Sequence, residues 1–266
     1  MPWLPRGAAL PPGGAARGAL ERQQARFARE YALARGGALR VAPLEAAQEA
    51  VATELLTDSF ADALGYSTPR CVRASRGAGR GPCERERALA TSPRITHHPD
   101  ASSRRCASLV DTHTRPVRRA YIREYLRSQR AWPPDGICLV GVYEDAATGE
   151  ESIAATMTLS FTSETREDFT SLAPPEGSVY LCNMCTLRSL QRRGCAKAML
   201  AAAGDFVEQM GCDEIWLHAR LSDEKSVALY EGDGFKGVQT DGEQTFWDKM
   251  VTRGRDTRRV LMRKAA

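Results

Sequence analysis

A chain of 266 residues with 42% hydrophobic side chains can bury a sizeable core, while 14 prolines and a mean hydropathy of −0.39 mark parts of it as irregular. No apolar run approaches the ~20 residues needed to cross a bilayer, which excludes a helical membrane-spanning protein. The formal charge of +4 is unevenly placed: between Arg70 and Arg119 stand 12 arginines against four acids, so that segment carries +8 and the remainder −4. The basic pI of 8.7 therefore belongs to one segment and says little about what the rest binds.

In chain order, MPWLPRGAALPPGGAARGAL has no acid before Glu21 and is rich in Ala, Gly and Pro. Residues 1–36 read as a disordered tail or an organelle transit segment, the lack of Ser and Thr in that opening run counting against transit. No secretory h-region is visible, so the eight cysteines read as intracellular thiols and the protein as not secreted. Ala38–Leu64 reads as a short strand and then a helix with Ala47, Val51, Leu55 and Phe60 as its apolar positions. Residues 66–116 break all periodicity and are full of Arg, Gly, Ser and Pro; they read as a disordered insertion. Helical spacing returns over Val117–Trp132, with Tyr121, Ile122, Tyr125 and Leu126 on one side. Ile137–Asp145 and Ile153–Phe161 then read as an antiparallel hairpin, the second strand alternating Ile153, Ala155, Met157, Leu159 and Phe161 with Thr156, Thr158 and Ser160.

Ser178–Leu187 is a third strand of this group, and Ala196, Met199, Leu200, Ala203, Phe206, Val207 and Met210 have helical spacing that Gly211 stops. Glu214–Arg220 follows as a strand, parallel to Ser178–Leu187 because a helix joins them. Ser222 is placed to cap a last helix, with Asp223 and Glu224 in its first turn and Gly232 and Gly234 near its end. Short strands from Phe235 and around Arg259–Arg263 close the sheet. QRRGCA, Gln191–Ala196, thus lies where a strand feeds a helix N-terminus. Converging N–H groups, the helix dipole and two arginines suit a phosphate there, although an ordinary turn would read the same way.

Gln191–Ala196 fits (Q/R)-x-x-G-x-(G/A), and LYEGDGF, Leu229–Phe235, fits LYxxxGF. With these two motifs and this order of elements the sequence resembles the GCN5-related N-acetyltransferases, loosely over Ala38–Leu64 and well over Val117–Lys264. The resemblance implies an α/β fold: a mixed sheet of six or seven strands, splayed open between Val179–Leu187 and Glu214–Ala219, flanked by about four helices. It makes residues 37–266 one domain, interrupted at about 66–116. It implies acetyl-CoA in that opening and no metal, with Cys185, Thr186, Leu187, Gln191, Arg192, Arg193, Gly194, Cys195, Ala196 and Asp223 on the cofactor side. The family commonly has Asn where Asp223 stands, and a carboxylate is a poorer neighbour for phosphate.

Tyr230 holds the position whose hydroxyl serves the family as general acid. Tyr180 and His218 match the tyrosine and histidine with which certain protein N-terminal acetyltransferases deprotonate the substrate amine through water; each would otherwise be a strand core residue. An α-amine with a pKa near 8 needs only a weak base. YLCNMC followed by Arg-Arg-Gly is also similar to the plastid-type acetyltransferases of plants and algae, which places the protein in plastid or cytoplasm. Phe246 and Trp247 fall where the family has a substrate-contacting loop, or else pack in the core.

Cys182 and Cys185 have an odd offset, which on a regular strand sends them to opposite faces. Cys71, Cys83, His97, His98 and Cys106 fit no tight metal-ligand spacing. The arginine-rich segment lacks the aromatic interleaving of a single-strand binder, so no nucleic-acid partner is expected. The function expected is acetyl transfer from acetyl-CoA to a protein N-terminal α-amine, with lysines as further acceptors, by a monomer or homodimer. The alternatives are a small-amine acetyltransferase, acting on a polyamine, arylalkylamine or aminoglycoside, and a degenerate acyl-CoA-binding module.

Overall fold

A computed structural model describes residues 14–63, 101–166, 171–252, 254 and 256–266. Their elements are α1 (Gly14–Ala25), β1 (Arg29–Ala32), β2 (Ala38–Pro43), α2 (Glu49–Ala63), α3 (Ala101–Gln129), β3 (Gly136–Glu144), β4 (Glu151–Ser160), β5 (Val179–Thr186), α4 (Cys195–Gln209), β6 (Glu214–Arg220), α5 (Glu224–Gly232), β7 (Lys236–Thr240), α6 (Phe246–Val251) and β8 (Arg259–Ala265). All eight strands form one sheet in the order β1-β2-β3-β4-β5-β6-β8-β7. Every neighbouring pair is antiparallel except β5 and β6, which the α4 crossover makes parallel.

Both faces of the sheet are covered. Met157 and Leu159 of β4, Leu181 of β5 and Leu217 of β6 pack with Met199, Phe206 and Val207 of α4. Gly141 lets that helix approach β3, since a Cβ there would lie 2.9 Å from Met199 Sδ. Leu55 and Leu56 of α2 with Ile122 and Leu126 of α3 cover the opposite face over Cys138, Val140 and Cys185. The hydroxyl face of β4 is therefore buried as well, with Thr156, Thr158 and Ser160 each at most 1% exposed. Each is hydrogen-bonded: to Cys185 Sγ at 3.1 Å, Gln129 Oε1 at 3.1 Å and Thr165 Oγ1 at 2.6 Å. Glu49 binds Arg127 and Arg130 at 2.9 and 3.3 Å, and Arg115 bridges Glu54 and Asp58, which registers α2 against α3. Half-exposed pairs of this kind contribute about 0.2–1 kcal/mol each, so the apolar seam carries the contact.

Several expectations are corrected here. Residues 14–36 are not a tail: they supply α1 and β1, and β1 raises the strand count to eight. Phe27 is 1% exposed and meets the Phe206 ring edge-on at 4.9 Å, contacts that no local periodicity announces. The helix expected from Val117 begins at Ala101, passing through Pro116. Proline reads as a breaker in sequence, and the arginine-rich turns before it carry no apolar stripe. Residues 66–100 of the expected insertion lie outside the described residues. On α2 the buried apolar positions are Ala52, Leu55 and Leu56, beside buried Thr53 and Thr57, while Val51 and Phe60 are exposed; on α3 Tyr121 is exposed.

Phe27→Ala is expected to lower stability by about 3–5 kcal/mol, the usual range for emptying an aromatic core site, measured by thermal or denaturant unfolding. An unchanged midpoint would separate the N-terminal segment from the core.

Candidate active site

β5 and β6 pair through only three positions, Val179↔Ile215, Tyr180↔Trp216 and Leu181↔Leu217. Beyond Leu181 and Leu217 the parallel pairing stops, although β5 runs on to Thr186 and β6 to Arg220. β5 is also interrupted on its other side. Thr158 pairs with Cys182 and Thr156 with Cys185, so Asn183 and Met184 together oppose Met157 in a bulge. Asn183 takes φ 52°, a left-handed conformation that Asn tolerates, and its amide donates to Tyr125 Oη of α3 at 2.7 Å. The extra residue also corrects the expectation for the two cysteines: Cys182 and Cys185, opposite Thr158 and Thr156, fall on the same face.

The turn after β5 leads into α4, whose N-cap is Gly194 at φ 105°. Arg192 is left-handed too, at φ 65°, a backbone conformation of the kind from which anion-binding concavities are built. Arg193 is held by Tyr143 Oη at 2.7 Å and lies 3.9 Å from Asp145. Arg192 and Gln191 are exposed, Ala196 is half-buried, and the Cys195 thiol is buried in the core. Earlier on β5, the Cys185 thiol faces α2 and α3, and the Leu187 N–H is spent on Ala154 O at 2.7 Å. Asp223 is the N-cap of α5, accepting from Ser226 N at 3.2 Å and Ser226 Oγ at 2.7 Å; the cap expected at Ser222 is one residue on. A cavity of about 440 Å³ beside the turn between β5 and α4 is lined by Tyr143, Asp145, Glu150, Glu151, Ser152, Leu187, Ser189 and Leu190.

At the other end of β5, Tyr180 Oη lies 3.0 Å from His218 Nδ1, and His218 Nε2 lies 2.9 Å from the carbonyl of Leu172. Tyr180 is 4% exposed, packed with Trp216, Leu261 and Leu172, and His218 sits on β6 one step past the last β5–β6 pair. Burial pushes the His218 pKa down, with Arg259 adding to the effect, while the Leu172 contact and Asp241 oppose it. Tyr230 on α5 meets Phe235 edge-on at 5.8 Å, and burial, aided by Asp223, raises its pKa to about 12. Its phenol is protonated at neutral pH. Phe246 and Trp247 on α6 are 72% and 68% exposed, which removes the core-packing alternative. The site residues that sequence reasoning missed are Leu172, whose contribution is main-chain, and the Asn183–Tyr125 pair. An Asn in mid-strand is the signal that could have marked the bulge.

Of the metal candidates, Cys71, Cys83, His97 and His98 lie outside the described residues and Cys106 falls in the first part of α3. No helix among the described residues is long and apolar enough to cross a membrane.

Residues 106–235, just under half of the chain, match the model of the Acetyltransferase (GNAT) family. A curated relative, GCN5-related N-acetyltransferase 5, chloroplastic, of Arabidopsis thaliana, is 30% identical over 142 residues, 50% of this chain and 44% of its own length. The chain thus spans less than half of that relative. Among solved structures, RimJ of Mycobacterium smegmatis in complex with CoA-disulfide superposes with a TM-score of 0.50 at 11% identity, over 90% of this chain and 87% of that one. NAA60 of Arabidopsis thaliana in complex with acetyl-CoA gives 0.41 at 14% identity, over 54% of this chain and 82% of that one. The fold is the mixed α/β fold of this family, with the eight strands described above.

His218 is expected to titrate below the ordinary 6.5, read from its ring C–H signals by NMR. The unfolded chain then binds the proton more tightly, so this residue's stabilising effect is complete above 6.5 and is lost as pH falls towards the folded-state value. Titration at or above 6.5 would contradict the buried, neutral imidazole.

Proposed function

We propose that this chain is an acetyl-CoA-dependent N-acetyltransferase whose preferred acceptor is a protein N-terminal α-amine. The observation that carries the proposal is the Tyr180–His218 pair, 3.0 Å apart at the base of the split between β5 and β6. The match of residues 106–235 to the Acetyltransferase (GNAT) family supports the reaction class.

The residues fit the cofactor. The left-handed Arg192 and Gly194 and the first turn of the 15-residue helix α4 offer N–H groups and positive dipole to a pyrophosphate. Exposed Arg192 adds charge, whereas Arg193 is already committed to Tyr143. Asp223 contributes through its cap and fixes the start of α5, which carries Tyr230. Acetyl-CoA supplies the thioester carbonyl that the amine attacks. Tyr180 and His218 relieve the incoming ammonium of a proton, and neutral His218 is the form able to accept one. Tyr230, protonated well above neutral pH, holds a proton for the departing sulfur. Phe246 and Trp247 present an exposed aromatic edge suited to the first side chains of a peptide. The curated relative favours a plastid setting, with the cytoplasm as alternative.

Purified protein is offered acetyl-CoA with free N-terminal peptides, N-terminally blocked lysine peptides and polyamines, and mass spectrometry locates the product. The expected outcome is acetylated N-termini, with the rate falling about 10²-fold or more in His218→Ala and in Tyr180→Phe. Acetylation confined to polyamines would sink the acceptor assignment, and binding of acetyl-CoA without any product would sink the enzyme.

A further inference from the structure

The path of the acceptor's proton depends on which nitrogen of His218 is protonated, and this chain settles that with a main-chain group. A carbonyl oxygen can only accept a hydrogen bond, so at 2.9 Å from Leu172 O the neutral imidazole carries its hydrogen on Nε2. Nδ1 is then an acceptor, and at 3.0 Å the Tyr180 hydroxyl donates to it. We propose that the Leu172 carbonyl is a positioning group that locks His218 as the Nε2–H tautomer, making Tyr180 Oη the atom that receives the acceptor's proton.

The backbone at Leu172 is built for this. Its φ of 55° lies in the left-handed region that a leucine rarely adopts, and such strain persists where the surroundings over-determine it. Here they do. The side chain is buried against Tyr180, Trp216 and Leu261. On its N-terminal side, Ser171 Oγ donates to Asp241 Oδ1 at 2.9 Å, and Asp241 Oδ2 in turn accepts from the Arg259 N–H at 2.8 Å. On its C-terminal side, Arg166 donates to the carbonyls of Pro175 and Ser178. The charged groups that bear on the imidazole, Asp241 and Arg259, lie 3.9 Å from each other and act in opposite senses. Asp241 thus anchors the segment that carries the carbonyl through Ser171.

The step balances without a further reagent. One N–H bond of the substrate ammonium breaks as its proton passes to Tyr180 Oη. The phenolic proton passes to His218 Nδ1, and the positive charge moves from the amine to an imidazolium whose Nε2–H still donates to Leu172 O. The tyrosine ends neutral, and the amine's lone pair is free for attack. This inference rests on the acetyltransferase reading for its function but not for its geometry.

Long-range 1H–15N correlation spectra of the 15N-histidine-labelled full chain report the protonated ring nitrogen, and His218→Gln assigns its signal among the four histidines. The expected result is a protonated Nε2 and an acceptor-type Nδ1. Leu172→Pro, held near φ −65°, should turn the carbonyl away, mix the tautomers, shift the acidic limb of the pH–rate profile and lower kcat on the order of tenfold. Leu172→Gly adopts positive φ freely and should retain both tautomer and profile. A proton on Nδ1 in the wild-type chain overturns the proposal whether or not the proline variant folds. So does a folded Leu172→Pro with unchanged tautomer and pH profile. The expected tautomer in a chain that acetylates nothing would overturn the acetyltransferase reading and uphold the geometry.

Discussion

The site depends on one departure from regular pairing: two parallel strands that stay together for three positions and then part. While β5 and β6 are bonded, their main-chain groups are spent on each other; past Leu181 and Leu217 that mutual pairing ends. The partners on the outer sides keep the opening from collapsing. β6 stays bonded to β8 along its whole length, and β5 stays bonded to β4 on both sides of the bulge. Unpaired buried backbone is costly, so a gap of this kind persists only where outer strands hold its walls and a ligand or solvent can meet its interior.

The candidate groups sort themselves around that gap by strand direction. Tyr180 and His218 stand at its base, where the last pairs hold them at hydrogen-bond distance. The opposite end of β5 runs into the left-handed residues Arg192 and Gly194 and the N-terminus of α4. A long ligand with an anionic part and a reactive end would span the two, anion at the helix and reactive end towards the tyrosine. α5 follows β6 directly and packs the Tyr230 ring on Phe235.

Much of this was legible because some residues have few alternatives. Gly194 is required at φ 105°, and a strand–turn–helix with that glycine is readable from spacing alone. The hairpin of β3 and β4 showed in the apolar alternation, and α4 in its 3.6-residue stripe. What could not be read was non-local or main-chain. Phe27 is core only because Phe206, far along the chain, faces it. Two hydrogen bonds from Ser226 make Asp223 a cap, whereas a family position alone suggested a cofactor contact. The Leu172 carbonyl would be the same group on any residue, so no side-chain pattern reveals it. The bulge at Asn183 reversed the expected facing of Cys182 and Cys185 because period-2 arguments fail at the first inserted residue.

The central claim is that Tyr180 and His218 act as one proton-accepting unit. The most direct measurement is kcat/KM on a free N-terminal peptide for Tyr180→Phe, His218→Ala and the double variant, each checked for folding. Two residues in one relay should lose activity together, leaving the double variant within about twofold of the slower single. Losses that multiply would show two independent contributions and contradict the account.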